Sequence, residues 1–244
     1  MATINGTNKN DHLTSSSDAD IVNGLQGNDV LVANGDDTLD GGSGNDTYRV
    51  FEGGAYVLVD AGGIDTLETD ESDILLAAGI EKLTINLGGV GHLSTATGNN
   101  LNNTITAFGD GSVQIDGNGG MDTLKGGNGA DTLDGGANAD NVHGWFGDDV
   151  LVIDDQDWHI DGDLGIDTLA VLPEYFDISV MPFGRIEEFE VIDLSYSDSA
   201  NELTLDRHGL KQISIGADTV DVILGHGDSI NRRELRVSRR AGRR

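Results

Sequence analysis

The stretch that decides the fold is GGNGADTLDGGANADNVHGWFGDDVLV, residues 126–152. Within and just before it, an aspartate recurs every nine residues, and an aliphatic residue follows each aspartate two positions later. The aspartates are Asp122, Asp131, Asp140 and Asp149, and the aliphatic residues are Leu124, Leu133, Val142 and Leu151. Self-similarity at a fixed period is the signature of a repeat architecture. The sequence therefore predicts stacked units of nine residues.

A second array with the same pattern lies near the N-terminus. Its aspartates are Asp11, Asp20, Asp29, Asp37 and Asp46, and the apolar residues two positions later are Leu13, Val22, Leu31, Leu39 and Tyr48. A GIDTL sequence follows each array and places Asp65 and Asp167 in the aspartate role. Between Asp149 and Asp167, Trp158 takes the intervening acid position, so we expect no ligand there.

The nine-residue unit has a direct structural interpretation. Six residues of the type GGxGxD can form a tight turn, because glycine adopts positive φ without strain, and three residues can then form a short strand. Two units complete one coil, with the apolar residues inside and the aspartates stacked at about the 4.8 Å strand spacing. The predicted fold is all-β, a parallel β-roll of two stacked arrays with intervening β-rich segments.

Such stacking brings like charges together. Two carboxylates at this spacing repel by about 0.9 kcal/mol in water, and by more where solvent is excluded. A calcium ion between the carboxylates turns this repulsion into attraction, since it accepts about 6 to 8 hard oxygen ligands. Magnesium demands octahedral geometry and zinc favours nitrogen or sulfur ligands, so both fit these turns less well. The pattern therefore predicts several bound Ca²⁺ ions.

The chain divides into two tandem units and a tail. We predict units at 1–97 and 98–231, each an array followed by an apolar, β-rich segment, and a basic tail at 232–244. The runs EKLTINL and EFEVIDL alternate as half-buried strands do, and only Asp70 to Gly79 is compatible with a short helix.

Composition limits the function. With 43 acidic and 14 basic residues the net charge is -29, which favours cations and argues against nucleic acid. The absence of cysteine excludes thiolate metal sites and disulfides. No apolar run is long enough for a membrane span, and no signal peptide opens the sequence, so export would use another signal.

These residues resemble the RTX (repeats-in-toxin) haemolysin-type calcium-binding family, whose nonapeptide GGxGxDxUx forms a parallel β-roll. The resemblance implies that the aspartate side chain and the carbonyls at positions one, three and five of the repeats hold calcium. The ligand residues so implied are Asp11, Asp20, Gly24, Gln26, Asn28, Asp29, Asp37, Gly41, Ser43, Asn45, Asp46, Asp65, Gly117, Gly119, Asp122, Gly126, Asn128, Ala130, Asp131, Gly135, Ala137, Ala139, Asp140, Gly144, Phe146, Asp148, Asp149 and Asp167.

Several repeats depart from the family pattern. Lys9, Asp18 and Asn138 replace the glycine at position four, and the repeat around Asp37 is one residue short. We expect weak or empty sites there. The resemblance also implies a secreted, extracellular protein exported by type I secretion machinery, although the tail RRELRVSRRAGRR is richer in arginine than such signals usually are.

The functional hypothesis is a secreted, non-enzymatic protein that folds on binding calcium. A calcium-dependent adhesin that binds surface polysaccharide, and an accessory module of a secreted enzyme, are alternatives. Acidic glycine-rich stretches can also be disordered linkers, but the fixed phase of acid and apolar residues argues against that. The aromatic residues Trp145, Phe146 and Trp158 suggest either packing or a sugar-stacking patch. Most histidines are expected to be solvated in turns or at strand edges.

Overall fold

The computed structural model describes residues 1–51, 55–89, 91–172, 175–177, 184–195, 202–205, 221–223 and 229–232. Within these residues the chain is an all-β solenoid of about nine turns, with no helix, and neighbouring strands pair in parallel. The predicted fold class is confirmed.

Strands alternate along the chain between two faces of the roll. One face is a ten-stranded sheet of β2 (His12–Thr14), β4 (Val30–Ala33), β6 (Thr47–Val50), β8 (Thr66–Thr69), β10 (Lys82–Asn86), β12 (Thr104–Phe108), β14 (Thr123–Gly127), β16 (Asn141–Trp145), β18 (His159–Asp161) and β21 (Ile186–Glu187). The opposite face holds β1 (Thr3–Asn5), β3 (Ile21–Asn23), β5 (Asp37–Asp40) and β7 (Tyr56–Val59) in one sheet. The same face continues in a second sheet of β9 (Asp73–Leu75), β11 (Leu93–Thr97), β13 (Ser112–Asp116), β15 (Thr132–Asp134), β17 (Val150–Ile153), β19 (Thr168–Val171), β22 (Val191–Asp193) and β24 (Asp221–Ile223). A further three-stranded sheet consists of β20 (Tyr175–Asp177), β23 (Glu202–Leu205) and β25 (Ser229–Arg232).

The core contains the apolar residues predicted from the period, in one row from each face of the roll. In β15 the pattern is partly exposed, buried, partly exposed, with Leu133 at the centre. Leu133 pairs with Ile115 on one side and with Leu151 on the other, so equivalent residues stack along the roll. Each apolar residue therefore contacts its equivalents in the next coils.

The short repeat around Asp37 is accommodated without loss of register. Ile21 pairs with Thr38, and Val30 pairs with Thr47, which are offsets of 17 residues. In the second array Thr123 pairs with Asn141, an offset of 18. The shortened turn belongs to both 17-residue coils, so one deletion shortens both while the apolar residues stay aligned.

The expected helix over Asp70 to Gly79 is wrong. The segment contains strand β9, followed by a turn at 78–79. Ile74 and Leu76 are both buried in the core, and an alternation of two residues is the spacing of a strand face rather than of a helix. Stacking on β11 thus overrides any local helical preference.

The strands predicted at EKLTINL and EFEVIDL are confirmed as β10 and β22. The ten-stranded sheet crosses the predicted boundary between 97 and 98, because β10 pairs with β12. The division into 1–97 and 98–231 stays a prediction. In the predicted tail 232–244, residues 233–244 lie outside the described residues. The described residues include no helix that could span a membrane.

Candidate metal centre

The predicted aspartates form two rows, one along each edge of the roll. The first edge consists of the turns that lead into the ten-stranded sheet, and its aspartates are Asp11, Asp29, Asp46, Asp65, Asp122 and Asp140. The second edge consists of the turns that lead into the opposite face, and its aspartates are Asp20, Asp37, Asp131, Asp149 and Asp167. Successive aspartates are nine residues apart in the sequence, and because two repeats form one coil they lie on alternate edges of the roll.

In every row aspartate except Asp11, one oxygen accepts a backbone N–H from the preceding coil. The backbone N–H of Asp131 donates to Oδ1 of Asp149 at 2.8 Å, and the N–H of Asp149 donates to Oδ1 of Asp167 at 2.9 Å. On the first edge the N–H of Asp122 donates to Oδ1 of Asp140 at 2.7 Å. Each carboxylate thereby fastens its coil to the preceding coil.

The other oxygen has no such role in most repeats. Eight Oδ2 atoms are buried and accept no hydrogen bond from any described residue; they belong to Asp29, Asp46, Asp65, Asp122, Asp131, Asp140, Asp149 and Asp167. Buried polar atoms are almost always paired, because an unpaired one costs its full desolvation energy. A row of unpaired carboxylate oxygens therefore indicates a missing positive partner.

A glycine borders each of these atoms, and a carbonyl oxygen of the next coil also borders those of Asp29, Asp122, Asp131, Asp149 and Asp167. A methyl group on Gly117 would lie 2.6 Å from Oδ2 of Asp122 and still closer to the carbonyl oxygen of Gly135, one coil further on. A methyl group on Gly126 would likewise meet Oδ2 of Asp131 and would lie 2.9 Å from the carbonyl oxygen of Gly144. In these two repeats position one is glycine, because a larger side chain would fill the small space that the two oxygens face.

Positions three and five complete the turns. The position-three residues pair across coils, Gln26 with Ser43 and Gly119 with Ala137, and Phe146 pairs with Leu164. At position five, the side chain of Asn28 accepts the N–H of Asn45 at 3.0 Å, and Asp148 accepts the N–H of Ile166 at 2.9 Å. The remaining implied residues lie in the same turns, namely Gly24, Gly41, Asn128, Ala130, Gly135, Ala139 and Gly144.

Three aspartates differ from the other eight, because local groups occupy their second oxygen. Oδ2 of Asp11 accepts the N–H and the hydroxyl of Thr7, at 2.6 and 2.8 Å. Oδ2 of Asp20 accepts the hydroxyl of Ser16 at 2.6 Å, and Oδ2 of Asp37 accepts the hydroxyl of Ser15 at 2.6 Å. These aspartates lie in the irregular N-terminal repeats, where hydroxyl residues replace glycine.

The pKa values of several row aspartates are shifted by their surroundings. Burial raises the pKa of Asp131, Asp140 and Asp167 to about 7, and that of Asp122 and Asp149 to about 6. By contrast, the hydrogen bonds from Ser16 lower the pKa of Asp20 to about 2. A buried carboxylate that lacks donors holds its proton until a cation replaces it.

Two further aspartates join the rows and were not predicted from the sequence. A carboxylate oxygen of Asp60 lies within 4.8 Å of those of Asp46 and Asp65, and Asp60 occupies position one, where other repeats have glycine. Asp157 is buried, while its neighbour Trp158, aligned with the acid position, is 75% exposed. Asp60 could have been found from the sequence, because it stands at position one of the Asp65 repeat. Asp157 lies one residue before the acid position, so the nine-residue period does not identify it.

Asn103 shows what an amide does at an acid position. It is buried, its N–H donates to Oδ1 of Asp122 at 2.6 Å, and its own Oδ1 accepts the N–H of Asn99 at 2.9 Å. Its Nδ2 donates to the carbonyl oxygen of Ile80 at 3.3 Å. Both polar atoms of the Asn103 side chain are therefore hydrogen-bonded, and this coil forms without a charged residue at the acid position.

The aromatic residues do not form one surface. Phe146, 52% exposed, lies in the turn between β16 and β17 on the second edge, and Trp158 lies in the turn between β17 and β18 on the first edge. Nζ of Lys125 lies 5.7 Å from the ring of Trp145. A single sugar-stacking patch of all three rings is therefore excluded.

The family model of the RTX calcium-binding nonapeptide repeat matches the chain in four copies, over residues 3–31, 33–48 and 116–151. The matches cover both predicted arrays, so RTX repeats are present and calcium binding is supported. Repeats of this type are typical of secreted proteins, and their β-roll is typically structural rather than catalytic. No curated protein and no solved structure matches the chain significantly.

Proposed function

We propose that this chain, which carries RTX calcium-binding repeats, is a secreted, non-enzymatic protein that binds several calcium ions between its coils and needs them in order to fold. One observation carries the proposal: the eight buried Oδ2 atoms that accept no hydrogen bond from the described residues. They are charged, hard oxygen donors in two rows, which is the donor set that Ca²⁺ prefers.

The ions would lie between successive aspartates of one edge. Five such spaces are bordered on both sides by an unpaired Oδ2; they are Asp29–Asp46, Asp46–Asp65, Asp122–Asp140, Asp131–Asp149 and Asp149–Asp167. In the space between Asp122 and Asp140, the carbonyl oxygen of Gly135 faces Oδ2 of Asp122 across Gly117. Between Asp46 and Asp65, Asp60 adds a third carboxylate in place of the glycine. Carbonyls at positions three and five would supply further ligands.

Asp11, Asp20 and Asp37 would contribute little to calcium binding. Their second oxygens already accept hydroxyl and amide hydrogens, so a calcium ion would have to displace those donors. Apart from Asp60, the carboxylates of the proposed sites are thus a subset of the residues implied by the resemblance. Of the four repeats that were expected to be weak, those of Asp11, Asp20 and Asp37 have such donors, whereas Asp140, whose repeat has Asn138 at position four, has an unpaired Oδ2.

Folding would depend on the ions because the folded coil stacks carboxylates that repel each other. Without cations the rows remain charged at high pH, and the buried oxygens lose their hydration without compensation. Calcium that binds only the folded coil adds its binding free energy to the stability of the fold. A chain made in a low-calcium cytoplasm would then fold after export into millimolar calcium.

Circular dichroism of the untagged whole chain tests this proposal. We expect little β-structure in chelator-treated buffer and a cooperative gain of β-structure on addition of CaCl₂. Magnesium chloride at the same concentration is the matched control, since it supplies the same charge and screening but demands octahedral coordination. A fully folded spectrum without any divalent ion, or an equal response to magnesium, would contradict calcium-dependent folding.

Export is tested separately. We expect the protein in the culture medium of its host, and we expect it to remain in the cytoplasm when type I secretion is inactivated. Retention in the cytoplasm of unmodified cells would contradict secretion and leave the calcium sites unaffected.

A further inference from the structure

A cluster of histidine and carboxylate side chains lies on the outer face of the ten-stranded sheet and extends into the turn after β18. His143 of β16 pairs with Asp161 of β18, and Asp161 pairs with Glu187 of β21, so the three lie in one line across neighbouring strands. The core residues Val142, Ile160 and Ile186 precede them and are buried. Because side chains alternate along a strand, the three residues in the line point outward.

Two more side chains join this line. His159 lies two residues before Asp161 on the same face of β18, and its ring centroid is 5.2 Å from that of His143. Asp163 follows β18, and its Oδ2 lies 3.2 Å from Nδ1 of His143 and accepts the backbone N–H of Trp145 at 3.3 Å. We call these five residues the histidine cluster.

The nitrogen and oxygen atoms converge in two groups that share one carboxylate. Nδ1 of His143 lies 4.0 Å from Oδ2 of Asp161, and Nε2 of His159 lies 3.8 Å from Oε2 of Glu187. Donor atoms of His143, Asp161 and Asp163 lie within 4.8 Å of one another, as do those of His159, Asp161 and Glu187. Tetrahedral zinc places its ligand atoms about 3.4 Å apart, given bonds of about 2.1 Å. Shifts of about 1 Å would therefore close either group around an ion.

The charge of the cluster favours a cation. It contains three carboxylates, and in the described part of the chain no lysine or arginine lies within ion-pair distance of them. The side chain of Asp161 is only 15% exposed, and burial raises its pKa. Lys125, which pairs with His143 across the strands, lies instead over the ring of Trp145.

The donor set distinguishes this cluster from the calcium rows. Calcium takes oxygen ligands, whereas imidazole nitrogen combined with carboxylate oxygen suits zinc and its neighbours among the divalent transition metals. We propose that His143, His159, Asp161, Asp163 and Glu187 form a binding site for a zinc-like divalent ion, separate from the calcium sites. A bound ion would link β16, β18 and β21 across the outer face of the sheet.

The test uses the whole chain without a histidine tag, held in saturating calcium so that the roll is folded and its calcium sites are filled. Zinc is titrated by calorimetry, and cobalt is titrated as a spectroscopic probe of nitrogen and oxygen ligands. We expect zinc binding that calcium does not displace. We also expect the His143→Ala, His159→Ala double variant to weaken it by more than about 10-fold, since even outer-shell partners of ligands change metal affinity that much.

The matched control is the His12→Ala, His92→Ala double variant, which removes two exposed histidines outside the cluster. We expect it to bind zinc as the parent does. Asp161→Asn keeps the shape of the shared carboxylate and should also weaken binding, while calcium-dependent circular dichroism verifies that each variant is folded. Absence of zinc binding to the calcium-loaded parent overturns the proposal. Equal zinc affinity in the parent and in the His143→Ala, His159→Ala variant does so as well.

Discussion

At the scale of single residues, the two carboxylate oxygens of a row aspartate have different roles. Oδ1 accepts a backbone N–H from the preceding coil and so belongs to the fold, as in Asp149 with Asp131. Oδ2 either accepts a local hydroxyl, as in Asp20, or remains buried without a donor, as in Asp149. Aspartate thus links successive coils in every row position except Asp11, and its second oxygen is unpaired only in some repeats.

Substitution of Asp149 by asparagine separates these two roles. The amide keeps an oxygen for the N–H of Asp131 but replaces Oδ2 by a donor, and Asn103 shows that the fold accommodates asparagine at this position. Because Asp149 borders two proposed spaces, we expect Asp149→Asn to bind fewer calcium ions at saturation and to raise the calcium midpoint by about 10-fold, the value of one charged interaction.

Asp20→Asn is the control for that experiment. Its second oxygen is already occupied by Ser16, so the number of ions bound at saturation should stay unchanged. Equilibrium dialysis with radioactive calcium gives both counts. An equal loss of ions in the two variants would show that the free Oδ2 does not identify the sites.

Glycine at position one leads to a second prediction. A methyl group at Gly117 would enter the space between Oδ2 of Asp122 and the carbonyl oxygen of Gly135, and the backbone there requires no positive φ. We expect Gly117→Ala to weaken calcium binding although every carboxylate is retained. Gly89→Ala is the control, since a methyl group at Gly89 meets nothing within 4 Å. Calcium titration by calorimetry measures both, and a Gly117→Ala isotherm equal to that of the parent would contradict the proposed cradle.

At the scale of elements, three-residue strands are too short to be stable alone, and they persist because equivalent apolar residues stack from coil to coil. Leu133 of β15 is fully buried between Ile115 and Leu151, whereas Leu93 of β11 is 65% exposed. The regular pattern fixes which of the residues in each strand enters the core.

Truncation of Leu133 tests how much one residue of such a row contributes to stability. We expect Leu133→Ala to lower the free energy of unfolding in saturating calcium by about 2 to 5 kcal/mol, because the coil cannot collapse around the cavity without breaking register. Leu93→Ala should change it by less than about 0.5 kcal/mol. Urea denaturation monitored by circular dichroism provides the comparison, and similar losses in both variants would contradict the description of the core.

Turns are the elements in which positive φ is concentrated. Gly42 and Gly136 at position two have φ of 92° and 86°, but Leu25 and Trp145 occupy the same position with φ of 82° and 78°. Tertiary stacking therefore imposes the left-handed conformation even where the residue disfavours it. This is why repeats with poor glycine patterns still continue the coil.

At the scale of the whole molecule, charge couples folding to both calcium and protons. The chain carries a net charge of -29, and burial raises the pKa values of Asp131 and Asp140. Protons and calcium ions then compete for the same oxygens, and their effects on stability have opposite dependence on pH.

The direction in which stability changes with pH follows from the pKa values. In the absence of calcium, Asp131, Asp140 and Asp167 have pKa values of about 7 in the folded chain and 3.8 when unperturbed, so the folded state binds more protons. Their contribution to stability is fully present below 3.8 and is lost as the pH rises through about 7. We expect the calcium-free chain to be more stable at about pH 5 than at about pH 8, and the calcium-loaded chain to show the reverse order.

Thermal denaturation in metal-depleted and calcium-saturated buffers at both pH values measures these four stabilities. Greater stability of the metal-depleted chain at the higher pH would contradict the burial of charged rows. Sodium chloride at matched ionic strength controls for screening of the surface charge.

The sequence by itself determined the repeat, the all-β roll, the buried apolar row and the aspartates of the two rows, because each depends on a period that is visible in the residues themselves. Only the tertiary structure decided which aspartates have a free oxygen, since that depends on hydroxyls such as Ser16 lying within reach. It also decided that Asp157 replaces Trp158 in the interior, that Asp70–Gly79 contains a strand instead of a helix, and that His143 and His159 meet across adjacent strands. These features depend on which residues the coil places side by side, 16 to 20 positions apart in the chain, and the physical reason is that a one-residue shift in register exchanges inside for outside.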